Sequence, residues 1–161
     1  MKTLSFSLLA ALLAAGTAFA QDSTTVDWKT LATEFSEDAA AAQAKYQDKM
    51  LTVSGPVSAV AAGDMTVNNP SVAVTLSTPD GPGADVKCLF ENEDFEPNTE
   101  IRVSDEGGNA QLIKRDSAGN ITSSKPIFET GQQIVVTGSY LEFSAGDIVL
   151  RHCRLNGNSA E

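Results

Sequence analysis

Five short segments of this chain alternate apolar and polar residues, and this two-residue period is the feature that most constrains the fold. Successive side chains of a strand point to opposite faces, so each segment can bury one face of a sheet and expose the other. Clusters of Gly, Pro, Asn and Asp separate the segments, as they do at turns. Three segments precede a long connection and two follow it, a set that suits a small closed barrel. The segments lie within 51–57, 72–76, 86–90, 132–140 and 148–155.

Before the first segment, the apolar residues recur every three or four positions over residues 27–47. This period predicts a single helix that precedes the barrel. Asp27 is placed to cap the helix, because its carboxylate can accept an amide hydrogen of the first turn. An aromatic box for a cofactor is the alternative interpretation of Trp28, Phe35 and Tyr46. Their helical spacing favours a stripe that packs on the barrel.

The long connection between the third and fourth segments is predicted to be an insertion over residues 92–127. It begins with an acidic run and carries turn signals at Gly107-Gly108 and at Ser117-Ala118-Gly119-Asn120, which favour small hairpins. We expect an elaboration of the barrel surface, because its few apolar residues could not bury a core of their own. Residues 21–161 are therefore predicted to form one domain.

The first 20 residues have the pattern of a secretory signal peptide. Lys2 precedes an apolar run, and Ala18-Phe19-Ala20 supplies the small residues that a signal peptidase reads. Cleavage is expected between Ala20 and Gln21, followed by a mobile polar tail over residues 21–25. The apolar run is shorter than the roughly 20 residues that a spanning helix needs, so no membrane anchor is expected. These features predict a periplasmic or secreted protein.

Export changes the interpretation of the two cysteines. In an oxidising compartment, Cys88 and Cys153 are predicted to form a structural disulfide. It would close a loop of about 65 residues and contribute ~4 kcal/mol in the chain-entropy model. A redox pair and two buried free thiols are the alternatives; the absence of a Cys-x-x-Cys motif disfavours the redox pair.

Composition disfavours several classes of function. Eleven Lys and Arg against 21 Asp and Glu give a formal net charge of −10, which argues against a nucleic-acid partner, because phosphate binding needs clustered cations. Two Cys and one His are too few for an ordinary zinc finger or iron–sulfur site. The acidic run Glu91 to Glu96 resembles a weak calcium site, but a solvated charged loop is favoured. No metal and no cofactor is predicted.

Catalysis is also disfavoured. His152 is the only histidine, and its place in an amphipathic segment favours a residue on the rim of the barrel over a general base. Acidic residues are so frequent that no carboxylate pair stands out. The chain lacks the Gly-x-Ser-x-Gly and His-Glu-x-x-His motifs of two large enzyme groups. We therefore expect a protein that is not an enzyme.

Four short motifs, in this order along the chain, resemble those of the exported bacterial tRNA-anti-like OB-fold family. This resemblance implies a five-stranded, OB-fold-like Greek-key barrel, and it covers most of residues 37–155. It implies no catalytic residues, and the long connection over 92–127 departs from the family pattern. The motifs are Ala42-Gln43-Ala44-Lys45-Tyr46-Gln47-Asp48-Lys49 with Leu51-Thr52-Val53-Ser54-Gly55, then Val86-Lys87-Cys88-Leu89-Phe90, Gly131-Gln132-Gln133-Ile134-Val135-Val136-Thr137-Gly138, and Ile148-Val149-Leu150-Arg151-His152-Cys153-Arg154-Leu155.

Two functional hypotheses follow. The first is an exported, non-catalytic binding module that holds a small ligand, a glycan or a peptide near the loops at 63–71 and 143–146, which usually flank the site of an OB-fold. The second is a protein-interaction or envelope-structural module that acts through the acidic insertion over 92–127, since long loops in compact domains are often functional. The sequence leaves the ligand, the protein partner and the oligomeric state open.

Overall fold

The computed structural model describes residues 23–63, 71–105 and 107–156. The predicted signal peptide and its cleavage point at Ala20 and Gln21 lie outside the described residues, as does most of the loop over 63–71. A 3-10 turn separates the fourth and fifth strands. The elements are β1 (Ser23–Asp27), α1 (Trp28–Glu37), α2 (Ala39–Tyr46), β2 (Met50–Ala62), β3 (Ser71–Leu76), β4 (Asp85–Glu91), the 3-10 turn (Asn92–Asp94), β5 (Thr99–Val103), β6 (Asn109–Arg115), β7 (Ile121–Glu129), β8 (Gln133–Ser144) and β9 (Asp147–Leu155).

Five of the strands close into a barrel in the order β2-β3-β4-β9-β8, with β8 pairing back onto β2. All neighbours in this barrel are antiparallel except β4 and β9, which are parallel. These five strands correspond to the five alternating segments of the sequence. The predicted mainly β fold, a five-stranded OB-fold-like barrel, is confirmed.

The N-terminal helical region consists of two helices where the sequence predicts one. Asp27 caps α1 as expected, accepting a hydrogen bond from the Thr30 amide at 3.0 Å. The helix stops at Asp38, whose backbone (φ −150°, ψ 87°) lies outside the helical region and whose carboxylate accepts from the Ala41 amide. Aspartate competes for backbone hydrogens in this way, and so it starts a new helix here.

Residues 23–25 belong to a strand, so the prediction of a mobile tail is wrong for them. β1 runs parallel to the first half of β2, from Ser23 beside Met50 to Asp27 beside Ser54. That half of β2 pairs with β8 on its other edge, while β3 pairs only with the second half. β1 therefore occupies the edge that β3 leaves open. Backbone hydrogen bonds hold it, together with Val26, which packs on the core. A single apolar residue gives no alternating pattern by which to predict a strand.

The aromatic stripe of the helices packs on the barrel, as its spacing predicts. The ring of Phe35 lies 6.0 Å from that of Tyr46 and 5.0 Å from that of Phe143. Trp28 lies across Gly55, where an added Cβ would be 2.5 Å from the indole Cδ1. Gly55 is thus required for the close approach of the indole, and the irregularity in strand pairing falls beyond it, after Val57.

The insertion is a three-stranded antiparallel sheet, β5-β6-β7, with turns at the two predicted positions. It closes at Glu129, two residues beyond the predicted end. Phe128 is fully buried, with its ring centroid 4.6 Å from that of Phe90 of the barrel. Ile101 and Ala110 join the same core. The sheet therefore has no separate core and covers one end of the barrel.

Candidate functional site

One face of the inserted sheet has two parts: one part packs on the barrel, and the other lines a groove. Because directly opposed residues on neighbouring strands point to the same side, this face consists of three rows of side chains. Ala110 and Phe128 of the first row are buried against the barrel and Val103 is partly buried there, whereas the third row lines the groove. From the barrel outward, the rows are Val103–Ala110–Phe128, Ile101–Leu112–Lys125 and Thr99–Lys114–Ser123.

The overhanging part of this sheet faces the outer surface of the barrel across a groove of about 840 Å³. The opposite wall comes from the start of β8 and the end of β9. The 3-10 turn and the residues after it line one end. We call this space the insertion groove. Its lining residues are Asp94, Phe95, Glu96, Thr99, Leu112, Lys114, Ser123, Lys125, Pro126, Ile127, Gln132, Gln133, Ile134, Val135, Cys153, Arg154, Leu155 and Asn156.

The barrel wall of the insertion groove includes the start of β8, before Val135, which has no partner strand on its β9 side among the described residues. The ladder between β8 and β9 ends at the pair Val136 and Leu155. One more hydrogen bond follows, from the Asn156 amide to the Val135 carbonyl at 2.8 Å. Backbone groups alternate in direction along a strand, so Gln133 turns its amide and carbonyl to the same side as Val135. The groove therefore combines apolar side chains with an open strand edge.

The insertion groove is less acidic than the chain as a whole. Its lining has three cationic residues, Lys114, Lys125 and Arg154, and two anionic ones, Asp94 and Glu96. The whole chain has 11 Lys and Arg against 21 Asp and Glu. Lys114 and Glu96 are paired only at 4.0 Å and are both largely exposed, so this pair contributes little to stability.

Of the two loops predicted to bind a ligand, only the one over 143–146 is described, and none of its residues lines this groove. The loop over 63–71 lies almost wholly outside the described residues. The other is a two-residue turn at Ala145 and Gly146, both with positive φ, as a tight hairpin requires. Phe143, beside that turn, is engaged with Phe35. The alternation within β5, β6 and β7 is the sequence signal that bears on the groove. It cannot predict the groove alone, because the register of the three strands decides which side chains share a face.

The structure brings the two cysteines together. Cys88 on β4 and Cys153 on β9 are both fully buried, with their side chains 4.1 Å apart as free thiols. An S–S bond needs about 2.05 Å, so the disulfide itself stays a prediction. Burial, followed by the hydrogen bond to Cys88, raises the pKa of the Cys153 thiol. A thiol held protonated is a poor nucleophile, which disfavours the redox alternative.

His152 lies on the rim of the barrel, as predicted, beside the acidic start of the insertion. Its side chain is partly exposed and lies close to three carboxylates, those of Glu91, Glu93 and Asp94. Glu91 differs from the other two, because it is buried at the end of β4. The sequence pattern favours a solvated loop for this acidic run, and it contains no local signal that connects the run with His152.

A small closed barrel of five strands, with a helical element on one side and a groove on its outer surface, defines the OB-fold class, whose members are typically binding modules. Within this class, the chain belongs to the tRNA_anti-like family, whose sequence model matches residues 11–154. The resemblance of the four motifs is thereby confirmed.

No curated protein and no solved structure matches the chain. Among the residues that the structure describes, no helix combines the length and the apolar character needed to cross a membrane.

Proposed function

We propose that this protein is an exported, non-catalytic binding module that holds an extended polypeptide segment in the insertion groove. The observation that carries the proposal is the edge of β8 at Gln133, which has no partner strand on its β9 side among the described residues and lies at the wall of a groove of about 840 Å³. Added strands gain main-chain hydrogen bonds from such an edge, while neighbouring side chains supply specificity. Val135 is 38% exposed there, a partly open apolar contact beside the strand edge.

The insertion contributes to this function as a wall of the groove, and less as an acidic surface. Glu100, one of its carboxylates, is bound by Arg115 at 2.8 Å and by Arg102 at 3.2 Å. The negative charge of the insertion is therefore partly neutralised by its own arginines. Lys114 of the insertion, only loosely paired with Glu96 at 4.0 Å, and Arg154 of the barrel both line the groove, and they favour a segment with acidic side chains. A protein partner would thus contact the insertion and the barrel together.

Export and the disulfide belong to the same proposal. Residues 1–20 direct export, cleavage follows Ala20, and the oxidising compartment then joins Cys88 to Cys153. The proximity of the two buried thiols supports the bond. Mass spectrometry of the protein recovered from the periplasm of a bacterium expressing the full sequence tests both steps. A chain that begins at Gln21 and has lost two hydrogens is expected; retention of the leader contradicts export, and two alkylatable thiols contradict the bond.

Selection from a random peptide library displayed on phage tests the binding site. Peptides selected on the unmodified protein should bind Val135→Glu at least tenfold more weakly, because the new charge lies in the groove. Leu141→Glu is the matched control: Leu141 is 47% exposed on the same strand and does not line the groove. Failure to enrich any peptide, or equal loss in both variants, would contradict the proposed site.

A further inference from the structure

A bulge in β9 determines where the histidine points. Thr137 pairs with Arg154 and Ser139 with Arg151, so two residues of β9 oppose the single Gly138 of β8. His152 takes the extra position with φ +51°, in the left-handed region that a residue other than glycine seldom adopts. The bulge keeps Cys153 in the core and directs His152 outward.

Three carboxylate oxygens surround one nitrogen of this histidine. Nδ1 of His152 lies 3.2 Å from Oε2 of Glu91, 3.2 Å from Oδ2 of Asp94 and 3.8 Å from Oε1 of Glu93. The ligand atoms of Glu91, Glu93 and His152 all lie within 4.8 Å of one another. Glu91, Glu93 and His152 therefore form one compact set of possible metal ligands, and Asp94, beside Nδ1 of His152, is placed to add a fourth.

The buried carboxylate adds an independent observation. Only 6% of the Glu91 side chain is exposed. Its Oε1 accepts a hydrogen bond from Nε of Arg151 at 2.7 Å. Its Oε2 is buried and has no hydrogen-bond partner among the described residues, although it is directed at the cluster. A buried carboxylate oxygen without a donor is costly, and a bound cation would remove that cost.

We infer that Glu91, Glu93, Asp94 and His152 form a binding site for a divalent transition-metal ion, with Zn²⁺ as the expected occupant. The three carboxylates carry three negative charges and Arg151 one positive charge, so a divalent ion neutralises the site. Ligands bound at 2.0–2.2 Å in a tetrahedron are separated by about 3.3 Å, which is close to the spacing around Nδ1.

The chemical types of the ligands indicate which metal ion the site would prefer. A mixed set of imidazole and carboxylate suits Zn²⁺ and its first-row neighbours, whereas Ca²⁺ prefers six to eight oxygen ligands. Four protein ligands make a closed site, which is typical of a structural role. The ion would tie the 3-10 turn to β9. Asp94 also lines the insertion groove, so the ion would fix one end of it; the site itself does not depend on the proposed peptide ligand.

Competition for Zn²⁺ with a chromogenic chelator, using the purified metal-free protein, tests the inference. One Zn²⁺ per chain is expected, with a dissociation constant in the micromolar range or below. His152→Asn should weaken binding at least tenfold and keep the fold, because Asn tolerates positive φ. Glu93→Gln should also weaken it. The control is Glu96→Gln, the same chemical change at a largely exposed side chain two residues beyond Asp94, and it should leave binding unchanged.

Cobalt substitution supplies a second measurement. Bound Co²⁺ should give the intense visible absorption of a four-coordinate ion in the unmodified protein, and His152→Asn should abolish it. Absence of binding to the unmodified protein would overturn the inference. So would Zn²⁺ binding that survives both ligand substitutions, or binding of Ca²⁺ in preference to Zn²⁺. In those cases His152 would be only an ion-pair partner of the carboxylates.

Discussion

The Sγ atom of Cys153 lies where a side chain on Gly138 would have to begin. A Cβ added at Gly138 would be 2.6 Å from that sulfur and 3.1 Å from the carbonyl oxygen of Arg151. The same bulge that directs His152 outward makes this contact, because it places two residues of β9 opposite one of β8. The glycine is therefore needed for the close packing of the two strands.

Gly138→Ala should destabilise the protein by about 1–3 kcal/mol, the usual cost of overpacking a core. Urea unfolding measures the change. Cys153→Ala removes the sulfur, so in that background the cost of Gly138→Ala should fall by at least 1 kcal/mol. Equal costs in the two backgrounds would show that the sulfur does not limit the space at Gly138.

Oxidation of Cys88 and Cys153 should stabilise the protein by ~4 kcal/mol, because the bond restricts a loop of about 65 residues in the unfolded chain. Urea unfolding is measured with and without a reductant, which reduces the disulfide once the chain unfolds. The difference between the two free energies of unfolding is the contribution of the bond. Cys153→Ala, which cannot form the bond, is the control and should unfold identically under both conditions. Identical unfolding of the unmodified protein would argue that its thiols remain free.

Phe128→Ala should cost about 3–5 kcal/mol, since it removes a buried ring that packs on Phe90. Ile121→Ala is the matched control on the same strand: Ile121 is 56% exposed, so its truncation should change stability by at most about 0.5 kcal/mol. Thermal unfolding distinguishes the two. Equal, small effects would mean that the inserted sheet packs only loosely on the barrel.

Removal of the insertion should consequently destabilise the barrel. Replacing residues 92–127 by a short Gly-Ser link would expose Phe90 and take away Ile101 and Ala110, which belong to the common core. The chain is expected to lose its cooperative thermal transition or to unfold at a much lower temperature. A barrel of unchanged stability would contradict the shared core.

The hydrogen bonds that join the two helices predict a dependence on pH. Nζ of Lys45 donates to Oε2 of Glu34 at 2.6 Å, and the Tyr46 hydroxyl donates to the same oxygen at 3.0 Å. The Lys45 bond, followed by that of Tyr46, lowers the pKa of Glu34 from its usual value of 4.5, against the opposing effect of desolvation. The contribution is present above pH 4.5 and is lost as the pH falls through the lowered pKa.

Glu34→Gln should therefore cost up to about 1 kcal/mol at pH 7, since the pair is partly exposed. This cost should shrink at acidic pH, as the Glu34 carboxylate becomes protonated and its ion pair with Lys45 is lost. Glu37→Gln, at an exposed position of the same helix, is the control and should show no such difference. Urea unfolding at neutral and at acidic pH tests it, and a cost independent of pH would contradict the assigned ion pair.

Local patterns were enough to predict the barrel strands, the two insertion turns and the Asp27 cap. Each depends on side chains close in sequence, because alternation reports a half-buried strand and a short carboxylate caps its own helix. Asp38 shows the limit of such patterns. Its helical neighbours favour one continuous helix, but its carboxylate bonds the Ala41 amide and divides the region in two. β1 gives no alternating pattern either, since backbone pairing with β2 and the single apolar side chain of Val26 hold it in place.

The sequence by itself determined the five barrel strands, the family and the net charge, because periodicity, motif order and composition are properties of the linear chain. Tertiary structure alone decided that the inserted sheet packs on the barrel through one end of a face and leaves the other end over a groove. It also brought His152 to within 3.2 Å of Glu91, a residue 61 positions earlier. Such contacts depend on strand register and on a bulge in β9. A shift of one residue in register would turn these side chains to the opposite face.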